Sequence, residues 1–76
     1  MQKIGTYFSF KEKNCIHYGI FIDNRRAYIC RRDKSKLKFS FESIPLNYKI
    51  QREENINSRI ASAFKAALPV YKLFKT

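Results

Sequence analysis

The side chains with most to offer chemically are His17, Phe21, Arg25, Arg26, Tyr28, Arg31, Arg32, Lys34, Lys36 and Lys38, all within residues 15–43. Cations hold phosphate oxygens, and flat rings stack on bases or approach groove edges. Together these residues therefore read as a nucleic-acid contact surface, with DNA placed ahead of RNA. In this reading Arg25, Arg26, Arg31, Arg32, Lys34, Lys36 and Lys38 grip the backbone, while Phe21, Tyr28 and His17 approach bases. The plainer alternative makes Phe21 and Tyr28 a stabilising cross-strand pair, or packs them under the N-terminal segment.

Other chemistry finds little support. Cys15, His17 and Cys30 lack the paired spacing of a structural zinc site and have no fourth ligand, so no metal is expected. A Cys15–His17 nucleophile pair would sit near a strand end with no orienting acid. The six acids, Glu12, Asp23, Asp33, Glu42, Glu53 and Glu54, each have a cation or a turn nearby and form no evident acid–base pair in a cleft. Two glycines cannot build a phosphate-cradling loop, and no nucleotide, zincin or calcium motif is present. The sequence predicts no enzyme, no catalytic residue, no cofactor and no small-molecule substrate.

Charge narrows the partner. Sixteen Lys and Arg against six acids give a formal +10 in 76 residues. Such a chain repels itself unless a polyanion neutralises it. The candidates are nucleic acid, an acidic protein and, last, an anionic membrane surface. The chain opens Met1-Gln2-Lys3 and shows no apolar run of signal-peptide or bilayer-spanning length, so a cytoplasmic or virion-borne protein is expected. Two cysteines make no disulfide framework, and free thiols suit a reducing compartment.

The elements that must position these residues follow from periodicity. Ile16, Tyr18, Ile20 and Ile22 alternate with His17, Gly19 and Phe21, residues 27–32 alternate again, and Lys36-Leu37-Lys38-Phe39-Ser40-Phe41-Glu42 alternates most cleanly. Turns at Asp23-Asn24-Arg25-Arg26 and Asp33-Lys34-Ser35 make this an antiparallel meander. Placing Ile22 opposite Ala27, and Arg32 opposite Lys36, puts Ile16, Tyr18, Ile20, Ile22, Ala27, Ile29, Leu37, Phe39 and Phe41 on an inner face. His17, Phe21, Tyr28, Cys30, Arg32, Lys36, Lys38, Ser40 and Glu42 then face outward. Residues 3–10 read as a further strand, with Phe8 and Phe10 on one side and Tyr7 and Ser9 on the other. Residues 44–51 read either as a short edge strand or as a crossing segment whose apolar residues close one end of the core, and the crossing segment is the preferred reading. Residues 52–68 form one amphipathic helix, its stripe running through Ile56, Ile60, Ala63, Phe64, Ala67 and Leu68. Glu53 and Glu54 suit its first turn, Asn55 or Asn57 would cap a later start, and Pro69 should stop or kink it. The expected whole is a single α+β domain, residues 1–76, with a three- to four-stranded antiparallel sheet packed on one C-terminal helix.

Tyr28-Ile29-Cys30-Arg31-Arg32-Asp33, then Lys38-Phe39, then a helix carrying Arg59-Ile60-Ala61, resembles in architecture the arm-site DNA-binding domain of phage tyrosine recombinases. The likeness covers scattered positions. It implies a sheet face that reads a groove, although this chain inserts residues 44–54 and carries no catalytic domain. The rival functional class is a small phage- or plasmid-type inhibitor that docks on an acidic host protein by charge complementarity. A third reading lays residues 56–75 on a membrane surface, but an uncovered phenyl-rich sheet makes a core helix the better reading. Full burial of Phe64 contributes about 2–3 kcal/mol in transfer terms. Phe64→Ala is thus expected to remove a large share of the stability of so small a domain, read as a lowered urea midpoint.

Overall fold

The computed structural model describes the backbone of residues 4–75 and the side chains of residues 4–68. Five strands, β1 (Tyr7–Glu12), β2 (Cys15–Phe21), β3 (Arg26–Asp33), β4 (Lys36–Ser43) and β5 (Lys49–Gln51), form one antiparallel sheet in the order β4-β3-β2-β1-β5. A 3₁₀ turn at Glu53–Asn55 precedes the helix α1 (Ser58–Lys75). The α+β class holds, with one more strand than expected. The strand expected over residues 3–10 begins only at Tyr7, after a turn at Ile4-Gly5 with Gly5 at φ 92°, and it runs on to Glu12. Lys3 itself and any packing by Val70 or Phe74 lie outside the described residues and side chains.

The first hairpin closes through Lys13 and Asn14, both at positive φ (50° and 65°). That pair of left-handed residues gives a tight turn whose twist matches the strands. It sets Phe8 opposite Gly19 and Phe10 opposite His17.

The other two turns each differ from expectation by one residue. Asp23 Oδ1 accepts the backbone N–H of Arg25 and of Arg26, both at 2.8 Å. The Arg26 carbonyl accepts from both Ile22 and Asp23. This Asx-type loop leaves Phe21, not Ile22, opposite Ala27. At the next turn Asp33 pairs directly with Lys36, so the loop is only Lys34-Ser35, with Lys34 at φ 58°. Arg32 therefore lies opposite Leu37 rather than Lys36.

The two slips cancel for β4 and leave β3 alone inverted. Tyr28, Cys30 and Arg32 turn towards α1, whereas Ala27, Ile29 and Arg31 turn away. One core joins sheet to helix: Tyr7, Ile20 and Cys30 pack against Ile56, Ile60, Ala61 and the wholly buried Phe64, with Tyr28, Leu37 and Phe39 at its margin. The helix stripe thus lies on the sheet, and the membrane-surface reading of it fails for Ile56, Ile60 and Phe64.

A second core occupies the opposite face. Phe8, Phe10, Phe21, Ala27 and Ile29 are buried there, capped by Ile44 and Tyr48. Tyr48 meets Phe8 and Phe21 edge-on at 5.9 and 5.3 Å, and Asn47 Nδ2 donates to the Lys11 carbonyl at 3.0 Å. Residues 44–48 do cross the sheet, and the chain then pairs as the edge strand β5 beside β1.

The helix begins later than expected. Asn57 caps it, its Oδ1 accepting the Arg59 N–H at 2.9 Å. Glu53 and Glu54 precede the helix instead of entering it. Glu53 Oε1 accepts the Tyr7 hydroxyl at 3.1 Å and pairs with Lys65, tying β1 to α1. Pro69 lies inside α1, which runs on to Lys75. One missing amide donor does not end a helix whose other amides still bond. Among the described residues no helix is long and apolar enough to cross a membrane.

Gly19 shows how tightly the second core closes. A Cβ there would lie 2.4 Å from Cζ of Phe8, a ring with no exposed surface and no room to swing. Gly19→Ala should cost about 2–3 kcal/mol in urea unfolding. Adding Phe8→Leu should recover part of that loss; strictly additive penalties would show that the ring and the glycine are not coupled.

Candidate functional site

The Lys13-Asn14 and Lys34-Ser35 turns lie at one end of the sheet, and the Asp23 loop lies at the other. The capped start of α1 reaches the first end. Arg32 from the last turn of β3, Lys34 and Ser35 from the hairpin, and Asn57 and Arg59 from the helix start line one cleft of about 320 Å³, floored by Leu37 and Ile60. A second cleft of about 290 Å³ shares Arg32, Leu37, Asn57 and Ile60 with it and extends to Ile16 and Tyr18. Ile16 is 61% exposed, so the joined groove has cations at one end and an apolar, aromatic wall at the other.

The charge arrangement sharpens this. All six acids are ion-paired: Asp23 with Arg26, Glu12 and Glu42 with Arg31, Asp33 with Lys38, Glu54 with Arg52, and Glu53 with Lys65. Lys11, Lys13, Arg25, Arg32, Lys34, Lys36, Lys49 and Arg59 form no ion pair among the described residues. Of these, Lys13, Arg32, Lys34, Lys36 and Arg59 gather at the end of the sheet that holds the cleft. The positive end of the α1 dipole adds to the same potential.

The expected contact residues fare unequally. Arg32 and Lys34 converge on the cleft, and Lys36 stands in the same hairpin on the face away from α1. Lys38 shares that face and is paired with Asp33 at 3.3 Å. Arg25 and Arg26 belong to the opposite end, about 23 Å away along β3. Phe21 is 1% exposed inside the second core, and Tyr28 is half-buried beneath α1, stacked near Phe39 and Phe41. The two rings lie on opposite faces because β3 is inverted, so no exposed Phe21–Tyr28 platform exists. His17 is buried against Phe10, and its Nδ1 accepts the Arg32 N–H at 3.2 Å where the β2–β3 ladder ends. It still lines the Ile16–Tyr18 end of the second cleft, where it shows only 6% of its surface.

Arg31 is a structural clamp. Its guanidinium donates to Glu12 (2.9 and 3.3 Å) and to Glu42, and lies 5.6 Å from the centre of the Phe10 ring. These bonds raise its already high pKa. The hydrogen bond from Arg31 holds the Glu12 carboxyl below the ordinary value of 4.5. Burial pushes Glu42 up, but hydrogen bonds from Arg31 and Ser40 outweigh it and the net is downward. Cys30 is a buried thiol pushed up by desolvation, and Cys15 is exposed; both are free.

Arg59 and Lys13 were not singled out among the candidates. Nothing in one sequence says which end of the sheet the helix starts from, and that alone brings Arg59 to Arg32. Among the described residues no group of His, Cys, Asp and Glu gathers to hold a metal. No protein-family model, curated protein or solved structure matches the chain.

The clamp makes a pH prediction. Both carboxylates are held lower in the folded chain than in the unfolded one. Their contribution is therefore complete above about pH 4.5 and is lost as pH falls through the lowered folded values. The melting temperature should fall as pH drops from 5 towards 2, and Arg31→Met should flatten that fall. An unchanged slope in the variant would assign the acid sensitivity elsewhere.

Proposed function

We propose that the chain is a nucleic-acid-binding module that holds the phosphate backbone at the cationic end of its sheet. The observation that carries this reading is the convergence of Arg32, Lys34 and Arg59, from three separate elements, on one cleft while every acid is already paired. Guanidinium and ammonium groups there take phosphate oxygens. The adjoining wall of Tyr18, Ile16 and Leu37 suits the flat or apolar part of a nucleotide. Contact is thus made by the turns and the helix start rather than by a sheet face. That departs from the groove-reading face that the recombinase likeness implies.

A second reading keeps one observation of its own. Leu46 is fully exposed on the crossing segment, and Ile50, on the edge strand β5 that follows it, is 48% exposed. An apolar knob flanked by unpaired Lys49 suits an acidic protein partner, such as the target of a small inhibitor.

Titration of duplex and single-stranded oligonucleotides at several salt concentrations tests the proposal. Log affinity should fall linearly with log salt. Arg32→Ala with Lys34→Ala and Arg59→Ala should reduce that slope by about 1 per lost phosphate contact and leave the melting temperature within a few degrees. Arg25→Ala at the far end should do neither. Unchanged binding by the triple variant sinks the rim. Retention of an acidic protein after nuclease treatment, abolished by Leu46→Asp, would establish the second reading instead.

A further inference from the structure

Strand β4, with no strand beyond it among the described residues, is an edge of eight residues. Every one of them is in register with β3, none has positive φ, and the nearest proline, Pro45, lies beyond its end. Edges of this length and regularity are pairing sites unless something blunts them. The charged side chains Lys36, Lys38 and Glu42 project from the face of the sheet and leave the backbone edge clear.

The hydrogen-bond phase of that edge can be read. Ile44 N–H donates to the Arg25 carbonyl at 3.1 Å, continuing the β3–β4 ladder one pair past Ser43 and Arg26. Even-numbered residues of β4 therefore turn their amides and carbonyls towards β3. Leu37, Phe39, Phe41 and Ser43 turn theirs outward. A second antiparallel copy of β4 must match outward groups to outward groups, so odd residues meet odd ones and the two-fold axis passes through a residue.

We propose that β4 pairs with β4 of a second copy of the chain about an axis through Ser40, making one continuous ten-stranded sheet. This register sets Lys38 opposite the partner's Glu42 and Phe39 opposite the partner's Phe41, twice each by symmetry. An axis through Lys38 would instead set that lysine against itself. Non-hydrogen-bonded pairs bring Cα atoms to about 4.5 Å, so the Lys–Glu contacts are close ones. The exposed Lys38–Asp33 pair is weak enough to exchange. An apolar cleft of about 360 Å³, lined by Tyr28, Phe41, Ala63, Ala66 and Ala67, opens at this same edge. Phe41 is 46% exposed beside it, and the partner's Phe39 would lie against that ring. Because each copy carries +10, association strengthens as salt rises, opposite to the salt response of polyanion binding.

The test uses the full chain carrying Cys15→Ser, freed of nucleic acid by nuclease. Sedimentation at rising concentration and salt should show a species of twice the 9.1 kDa chain mass. Ser40→Cys should form an interchain disulfide on mild oxidation, since its Cα separation across the axis falls within disulfide range. Ser35→Cys, in the turn, should crosslink much more slowly. Lys38→Glu should weaken the dimer about tenfold or more while leaving unchanged the melting temperature measured at concentrations where both chains are monomeric. A chain that stays monomeric throughout, or Ser40→Cys crosslinking no faster than Ser35→Cys, overturns the pairing. Neither outcome depends on nucleic-acid binding.

Discussion

Residues 44–48 have to carry the chain from β4 on one edge of the sheet to β5 on the other, and the sheet is shaped by that reach. From Ser43 to Lys49, six residue steps extend about 20 Å when fully drawn out. Four strand spacings amount to about 19 Å. Leu46 and Asn47 form a turn within it, so the connection falls short of that flat-sheet distance and the sheet must curl to bring its edges within reach. The segment lies over the face opposite α1, with Ile44 and Tyr48 packed on the cluster of Phe8, Phe21 and Ala27. That second layer lets Phe8 and Phe10 be buried on a face no helix touches. It also requires Gly19, because the Phe8 ring lies where a Cβ would stand.

With both faces of the sheet occupied by burial, charge is left to the ends and edges. Arg31 illustrates the sorting: it projects from the middle of the covered face, and two carboxylates and a ring hold it there. A cation so held keeps the strands in register, with three of its five N–H donors already committed to carboxylates. The cations at the turns meet no such partners. All six acids already sit in pairs, including Asp33 and Glu12 at this same end, so Lys13, Arg32, Lys34, Lys36 and Arg59 are left there without a carboxylate of their own among the described residues.

Strand identities, the helix stripe and the crossing of residues 44–48 were legible because each rests on a period or a composition that survives small errors of register. The contact surface was not, because it rests on parity. Asp23 binding two backbone amides lengthened one loop, and Lys34 adopting a left-handed conformation shortened the next. Neither act has an Asn-Gly or Gly-Asp signature to announce it. Each moved the pairing by one, and a shift of one reverses a strand. The outcome was a Tyr28 taken from solvent to the helix side and an Arg31 taken the other way. Phe21 kept its face and lost its exposure for the separate reason that residues 44–48 lie over it. Arg32 and Lys34 stayed accessible because they sit where strands end and parity matters least.

Rim and edge are at right angles to one another on this sheet, and that bears on how the two proposals interact. A two-fold pairing of β4 runs the strands antiparallel, so it sends the two cationic rims to opposite ends of a continuous sheet. Neither rim is covered by the joint. Bringing two +10 chains together costs electrostatic work that a polyanion lying along either rim would reduce. Binding at the rim and pairing at the edge are then thermodynamically coupled with the same sign, even though no side chain belongs to both. By linkage, each would raise the affinity of the other by the same factor, with the coupling carried through charge alone and weakening as salt screens it.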